Sequence, residues 1–69
     1  MRLEELIEEA LMTNKEVADE AQLSPGTISR IINGHPTKRL TVRKILAILS
    51  QKLSRRIEID EIEGLNLSD

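Results

Sequence analysis

The sequence predicts an all-α fold, a compact bundle of four to five short helices. Apolar residues recur at intervals of three and four in four separate segments, which is the spacing of one helix face. Ser, Thr, Pro and Gly, which favour helix starts and stops, stand between those segments. The chain has 69 residues, enough for one domain with a small core. We therefore expect short helices that stabilise one another by packing.

The first helix is predicted from an apolar stripe. Leu3, Leu6, Ile7, Ala10 and Leu11 fall at i, i+3, i+4, i+7 and i+8, so all five would face the core. The four glutamates between them would form a solvated outer face near the positive end of the helix dipole. We interpret these glutamates as a surface feature rather than as paired catalytic carboxylates.

The second helix is predicted to begin after Thr13. Thr13 and Glu16 have the spacing of a capping box, in which the hydroxyl accepts from one backbone N–H and the carboxylate accepts from the other. This helix would be short and would end near Ala21 or Gln22.

The third helix is predicted to open at Ser24 and Pro25. Ser is a favoured N-cap, and Pro at the first helical position lacks only a donor that the helix does not need. Asn33 and Gly34, followed by Pro36, indicate where this helix ends.

The fourth helix is predicted to be capped by Thr41, after a loop over residues 34–40, and to end near Leu53 or Ser54. Its apolar residues share one face: Val42, Ile45, Leu46, Leu49 and Leu53. Beyond it, alternating Ile57 and Ile59 are typical of a strand, whereas Asp60 indicates one capped helical turn, which we favour. We assign residues 1–63 to one domain and residues 64–69 to a short acidic tail.

Charge is segregated along the chain. Residues 1–23 and residues 57–69 each carry a net charge of −5, whereas residues 24–56 carry +8 and contain no acidic group. The formal net charge of −2 conceals this contrast. A cationic surface attracts polyanions and releases their counterions, as in nucleic-acid binding. The alternative is a basic helix that only faces solvent.

Composition excludes several classes of protein. The chain has no Cys and one His, so we expect no disulfide, no metal site and no cofactor. No nucleophile is paired with a base by any sequence pattern, which argues against an enzyme. No apolar run approaches the ~20 residues that span a bilayer, and no signal peptide is evident, so we expect a cytoplasmic protein. The absence of aromatic residues argues against single-strand binding and favours duplex DNA.

Two short helices separated by about three residues form a helix-turn-helix pattern over residues 14–33. Ala18 is small at the point where the two helices would cross closely. Four apolar residues would fill the space between this unit and the rest of the core: Val17, Leu23, Ile28 and Ile31.

On these residues the chain resembles the Cro/repressor-type (Xre-like) helix-turn-helix family, from Leu3 to about Ile62. The positions that carry the resemblance are Thr13, Ala18, Leu23, Ser24, Thr27, Ile28, Ser29, Arg30, Ile31, Asn33, Gly34 and the helix over residues 42–53. The resemblance implies a lambda-repressor-like bundle with a central helix-turn-helix, whose third helix enters the major groove of DNA.

The resemblance also implies which residues bind DNA. The start of the third helix would read base edges, Ser29 and Arg30 would point outward, and Asn14 and Asn33 would contact the backbone. The loop and the next helix would flank the backbone. The complete set is Asn14, Ser24, Pro25, Gly26, Thr27, Ser29, Arg30, Asn33, Lys38, Arg39, Thr41 and Arg43.

Two departures from the family pattern affect this interpretation. Gln22 occupies the turn position usually held by Gly, where a left-handed backbone costs other residues ~1 kcal/mol. Pro25 and Gly26 replace long polar side chains, and neither can make a bidentate bond to a base. Direct reading would then depend on Arg30, which can bind guanine O6 and N7.

The sequence thus predicts a sequence-specific double-stranded DNA-binding protein, a homodimeric transcriptional regulator that represses by occluding a promoter. The alternative is a protein-interaction module on the same fold, such as an antitoxin that binds a partner protein through its acidic tail. In that case Leu65 and Leu67, outside the bundle, would be the anchors.

Overall fold

Residues 1–68 are described by a computed structural model, and within them the chain is mainly helical. The α-helices are α1 (Leu3–Glu9), α2 (Asn14–Ala21), α3 (Pro25–Ile32) and α4 (Arg39–Leu53). A 3₁₀ turn (Ile59–Glu61) follows, and two-residue strands β1 (Pro36–Thr37) and β2 (Asn66–Leu67) pair with each other. The all-α prediction is confirmed. Among residues 1–68, no helix has the length and apolar character that crossing a membrane requires.

The hydrophobic core is built from one face of every helix. Leu6, Val17, Ile28, Ile45 and Leu49, which come from all four α-helices, are each completely buried. Burial of one such side chain contributes roughly 1.5–3 kcal/mol, so packing rather than helix propensity stabilises these short helices. Two later residues, Ile57 and Ile62, complete the core.

Ala18 is completely buried on α2, which packs against both α3 and α4. The small residue that the sequence predicts to lie at a close crossing is thus inside the bundle. A larger side chain there would overpack the core, at a cost of about 1–3 kcal/mol.

All four α-helices end in the same hydrogen-bonded reversal. After the last turn, one residue takes a left-handed backbone, and two successive N–H groups bond back to carbonyls of the final turn, as in the Schellman motif. The left-handed residues are Leu11 (φ 57°), Gln22 (φ 60°), Gly34 (φ 86°) and Ser54 (φ 53°). Three of the four helices therefore reverse at a residue for which this conformation is strained.

Leu11 does not belong to the core, contrary to the prediction. Because α1 ends at Glu9 and the chain reverses at Leu11, the side chain leaves the helical stripe and is 91% exposed. Leu3, Leu6 and Ile7 are buried as predicted, and Ala10 is half-buried.

The fourth helix begins earlier than predicted. Lys38, and not Thr41, is its N-cap, and the Lys38 side chain makes no capping hydrogen bond. Pairing of β1 with β2 keeps the chain extended up to Lys38, and helix α4 begins directly afterwards. Thr41 is consequently the third helical residue and is half-buried. The end of α4 at Leu53 agrees with the prediction.

The chain after α4 packs on the bundle. Ile59–Glu61 forms one 3₁₀ turn, so the helical interpretation of this segment is confirmed. Its cap is Glu58, which forms a capping box with Glu61, and not Asp60. Leu65 and Leu67 are half-buried against the core, so the expectation that they lie outside the bundle is wrong.

The N-terminus is joined to the segment that follows the 3₁₀ turn. The Glu63 N–H donates to the Met1 carbonyl at 2.7 Å, and Arg2 and Glu63 form a parallel bridge. The N-terminal ammonium group lies 2.8 Å from Oε2 of Glu63. By hydrogen bonding to the carboxylate and by its positive charge, this ammonium group lowers the pKa of Glu63 below its ordinary value of 4.5.

Candidate nucleic-acid interface

The position of Asn14 is set by the capping box that begins α2. The Glu16 N–H donates to the Thr13 hydroxyl at 3.1 Å, and the Thr13 N–H donates to the Glu16 carboxylate at 2.9 Å. This reciprocal pair, predicted from the sequence, satisfies two backbone donors. Asn14 is therefore the first residue of α2, half-buried at the end where the helix dipole is positive.

The turn between α2 and α3 reverses at Gln22. Its φ of 60° and ψ of 42° lie in the left-handed region, so Gln22 adopts this backbone despite its cost for a residue other than glycine. The Leu23 N–H then donates to the Ala18 carbonyl at 2.8 Å, and Leu23 packs against the core. Together these contacts fix the direction in which α3 leaves the turn.

The first turn of α3 is exposed and unobstructed. Ser24, Pro25 and Gly26 are exposed, and no other part of the molecule lies within 4 Å of the place that a Cβ atom on Gly26 would occupy. The Ser24 hydroxyl does not cap the helix, because it forms a 2.8 Å hydrogen bond with the Thr27 hydroxyl. A ligand can therefore approach the backbone at Gly26 closely.

The middle of α3 separates an apolar face from a polar one. Ile28 and Ile31 are buried, while Ser29 and Arg30 are exposed, as predicted. Asn33 caps the C-terminus of α3 and is exposed.

Three predicted site residues meet in one groove. Asn14, Ser29 and Asn33 line it, together with the apolar side chains of Met12 and Ile32. The groove thus joins the start of α2 to the second half of α3. The amide and hydroxyl groups of Asn14, Ser29 and Asn33 can form hydrogen bonds with a ligand.

Part of the lining of this groove is acidic, which we did not predict. Glu4 and Glu8 of α1 line it, and Arg2 is 3.1 Å from Glu4. Two carboxylates beside Asn14 and Asn33 would repel a phosphate that entered deeply. The signal was present in the sequence, since Glu4 and Glu8 are one turn apart on the edge of the apolar stripe.

The start of α4 supplies the basic part of the candidate interface. Lys38 and Arg39 are exposed at its N-terminus, and the first turn contains no acidic residue. Free N–H groups and the helix dipole make such an end favourable for anions. Arg43 is exposed but lines a different groove, beside Arg56 and Glu58, so it is not grouped with Asn14 and the residues of α3.

The acid-free stretch is not uniformly cationic in three dimensions. At its end, Arg55 lies 3.3 Å from Glu9, and Arg56 is paired with Glu58. Within residues 1–68, by contrast, Arg30 and Lys38 have no ion-pair partner and are exposed. Within the described residues, Arg43, Lys44 and Lys52 are likewise exposed and have no ion-pair partner, so unpaired positive charge extends from α3 along the whole of α4.

Comparison with known proteins gives one match. A family model described as helix-turn-helix matches residues 3–51, from the start of α1 into the last turns of α4. No curated protein and no solved structure matched the chain.

Proposed function

The chain belongs to the helix-turn-helix family of DNA-binding proteins, and from this premise we propose that it is a sequence-specific regulator of transcription that binds double-stranded DNA. The single observation that carries the proposal is the exposed first turn of α3, where Ser24, Pro25 and Gly26 face solvent with open space above the backbone. A helix that presents its N-terminal turn in this way can enter the major groove.

The proposed contacts with DNA are of two kinds: some read the base sequence, and others position the protein on the DNA backbone. Arg30 is the residue we assign to a guanine, with the hydroxyl groups of Ser24, Thr27 and Ser29 in support. Backbone contacts fix the register of the helix without reading sequence. We assign these to Asn14, Asn33, Lys38, Arg39, Thr41 and Arg43.

Size supports binding as a homodimer. The chain measures 28 × 23 × 17 Å, and its recognition helix has eight residues. Half-sites in DNA are roughly 34 Å apart, one turn of the double helix, so a single copy covers only one of them. A second copy related by a two-fold axis would double the interface and read an inverted repeat.

The regulator would act in the cytoplasm, as a repressor. Bound at a promoter, such a dimer would prevent access of the transcription machinery by occupying the site.

The decisive experiment selects bound duplexes from a random pool near 100 mM salt and maps the selected site by footprinting. Affinity for that duplex should fall steeply as salt rises, because binding releases counterions from the phosphates. If no salt-dependent binding of duplex DNA is found at low salt, the proposed function is wrong.

On the selected site, Arg30→Ala should weaken binding by about 1–3 kcal/mol and relax the preference at one base pair. Lys52→Ala is the matched control, since it removes the same charge from the last turn of α4 and should change affinity little. An equal loss on every sequence would instead identify Arg30 as a phosphate contact.

A further inference from the structure

The C-terminal strand lies beside the segment that connects α3 to α4. β1 and β2 run parallel, with Pro36 opposite Asn66 and Thr37 opposite Leu67. The connection between the two helices is therefore not a free loop. It is one strand of a small sheet whose other strand comes from the end of the chain.

Three hydrogen bonds reinforce this pairing. The Ser68 N–H donates to the Thr37 carbonyl at 2.9 Å, and the Ser68 hydroxyl donates to the same oxygen at 3.4 Å. The side-chain amide of Asn66 donates to the Gly34 carbonyl at 3.3 Å. The connection is thus held both where α3 ends and directly before α4 begins.

The C-terminal segment is itself anchored to the bundle, so it can support what it touches. Leu65 lies with Leu3, Ile31 and Ile32 around one very small cavity, and Leu65 and Leu67 both pack on the core. The guanidinium of Arg2 lies directly against Gly64. Movement of β2 would therefore disturb packed side chains.

The pairing of β2 with β1 positions the basic start of α4. Thr37 is 8% exposed, and it immediately precedes Lys38, the N-cap of that helix. Because the Thr37 carbonyl is held by Ser68, the peptide unit that leads into Lys38 has a fixed orientation. That orientation sets where the Lys38 side chain and the free N–H groups of α4 point.

We propose that β2 is a positioning element of the DNA-binding surface. By pairing with β1, it holds Lys38 and the start of α4 where they contact the DNA backbone. The inference rests on the proposed DNA-binding function, to which it adds a role for residues 66–68.

Ser68→Pro is the variant that tests this role. Proline removes both the N–H and the hydroxyl that bond to Thr37, and it suits the extended backbone of the preceding Leu67. Ser68→Ala is the matched control because it keeps the N–H. We expect amide hydrogen exchange at residues 35–39 to accelerate in Ser68→Pro and to stay near wild type in Ser68→Ala, with the helices intact by circular dichroism.

DNA binding gives the second measurement. Each phosphate contact contributes about 0.9 to the slope of log affinity against log salt. In Ser68→Pro that slope should fall by about 1, and a further Lys38→Ala change should have little effect in this background. The loss of DNA affinity caused by Arg30→Ala should add to the loss caused by Ser68→Pro, because Arg30 contacts the bases from α3.

The outcomes separate the two proposals. Failure of the unmodified chain to bind duplex DNA overturns the proposed function and the positioning role together. Binding by the unmodified chain, with the same salt slope and the same exchange rates in Ser68→Pro, overturns the positioning role alone. If Ser68→Pro unfolds, Asn66→Ala removes only the bond to Gly34, and the same two criteria apply to it.

Discussion

Gln22 is the residue at which the chain reverses between α2 and α3, and its backbone is left-handed. That conformation costs a residue with a Cβ roughly 1–2 kcal/mol, whereas glycine adopts it freely. Glycine also loses more entropy on folding, which offsets part of the gain. We therefore expect Gln22→Gly to raise the free energy of unfolding by up to about 1 kcal/mol, measured by thermal or urea unfolding.

Gly34 allows the opposite substitution to be tested, because it occupies the corresponding left-handed position after α3. It reverses the chain after α3 at φ 86°, and no other part of the molecule lies within 4 Å of where its Cβ atom would be, so Gly34→Ala would introduce strain without a clash. It should lower the free energy of unfolding by about 1 kcal/mol. If Gln22→Gly also destabilised the protein, the Gln22 side chain would have to make a stabilising interaction that outweighs the strain.

The left-handed reversal that follows a helix also explains one error in the predictions from the sequence. Spacing correctly predicts that Leu3, Leu6 and Ile7 are buried. Spacing cannot show that α1 ends at Glu9, because the left-handed position after it holds Leu11 and not the glycine that marks most such ends. Where glycine is present, as at Gly34, the predicted end is right.

At the scale of elements, Gly26 lowers the stability of α3, because it lies in the first turn of that helix. Glycine within a helix is less stable than alanine by roughly 0.5–1 kcal/mol, and the space around Gly26 is open. Gly26→Ala should therefore stabilise the fold slightly. If α3 enters the major groove with this turn closest to the DNA, the added methyl group should weaken binding, measured by titration with the selected duplex.

Opposite changes in stability and affinity would be informative here, because general destabilisation changes both in the same direction. Gln51→Ala is the control, since it changes an exposed helical residue of α4 to which no DNA contact is assigned. Unchanged affinity in Gly26→Ala would mean that the first turn of α3 does not approach DNA closely.

The elements that the sequence predicts correctly are those stabilised by interactions between residues close together in the chain. The capping box at Thr13 and the proline that opens α3 were both found where the sequence placed them. The β1–β2 pair was missed because Thr37 and Leu67 are distant in sequence and neither segment alternates long enough to indicate a strand. The late assignment of the α4 start follows from that omission. The roles assigned to the DNA-binding residues stay predictions.

At the scale of the whole molecule, basic and acidic side chains lie closer together than their separation along the sequence suggests. The net +8 of residues 24–56 overstates the charge available to DNA, because Arg55 and Arg56 pair with carboxylates. Glu4 and Glu8 further restrict how a phosphate reaches Asn14. Attraction and repulsion within one small surface would favour a single orientation on DNA.

The ion pair between Met1 and Glu63 joins the N-terminus to the segment that follows the 3₁₀ turn, and it makes stability depend on pH. The pKa of Glu63 is lowered in the folded protein by the N-terminal ammonium group. A lowered pKa means that the stabilisation is present above the ordinary value of 4.5 and is lost as pH falls through the lowered pKa. The effect should be small, since the carboxylate is exposed to solvent.

We accordingly expect Glu63→Gln to speed amide exchange in residues 63–68 at pH 7, relative to wild type. The difference should shrink and vanish as pH falls below the lowered pKa, because the wild-type carboxylate is then also neutral. Glu20→Gln, on the exposed face of α2, is the control and should leave exchange in residues 63–68 unchanged at every pH. A difference between Glu63→Gln and wild type that persisted at acidic pH would show that the ion pair is not its cause.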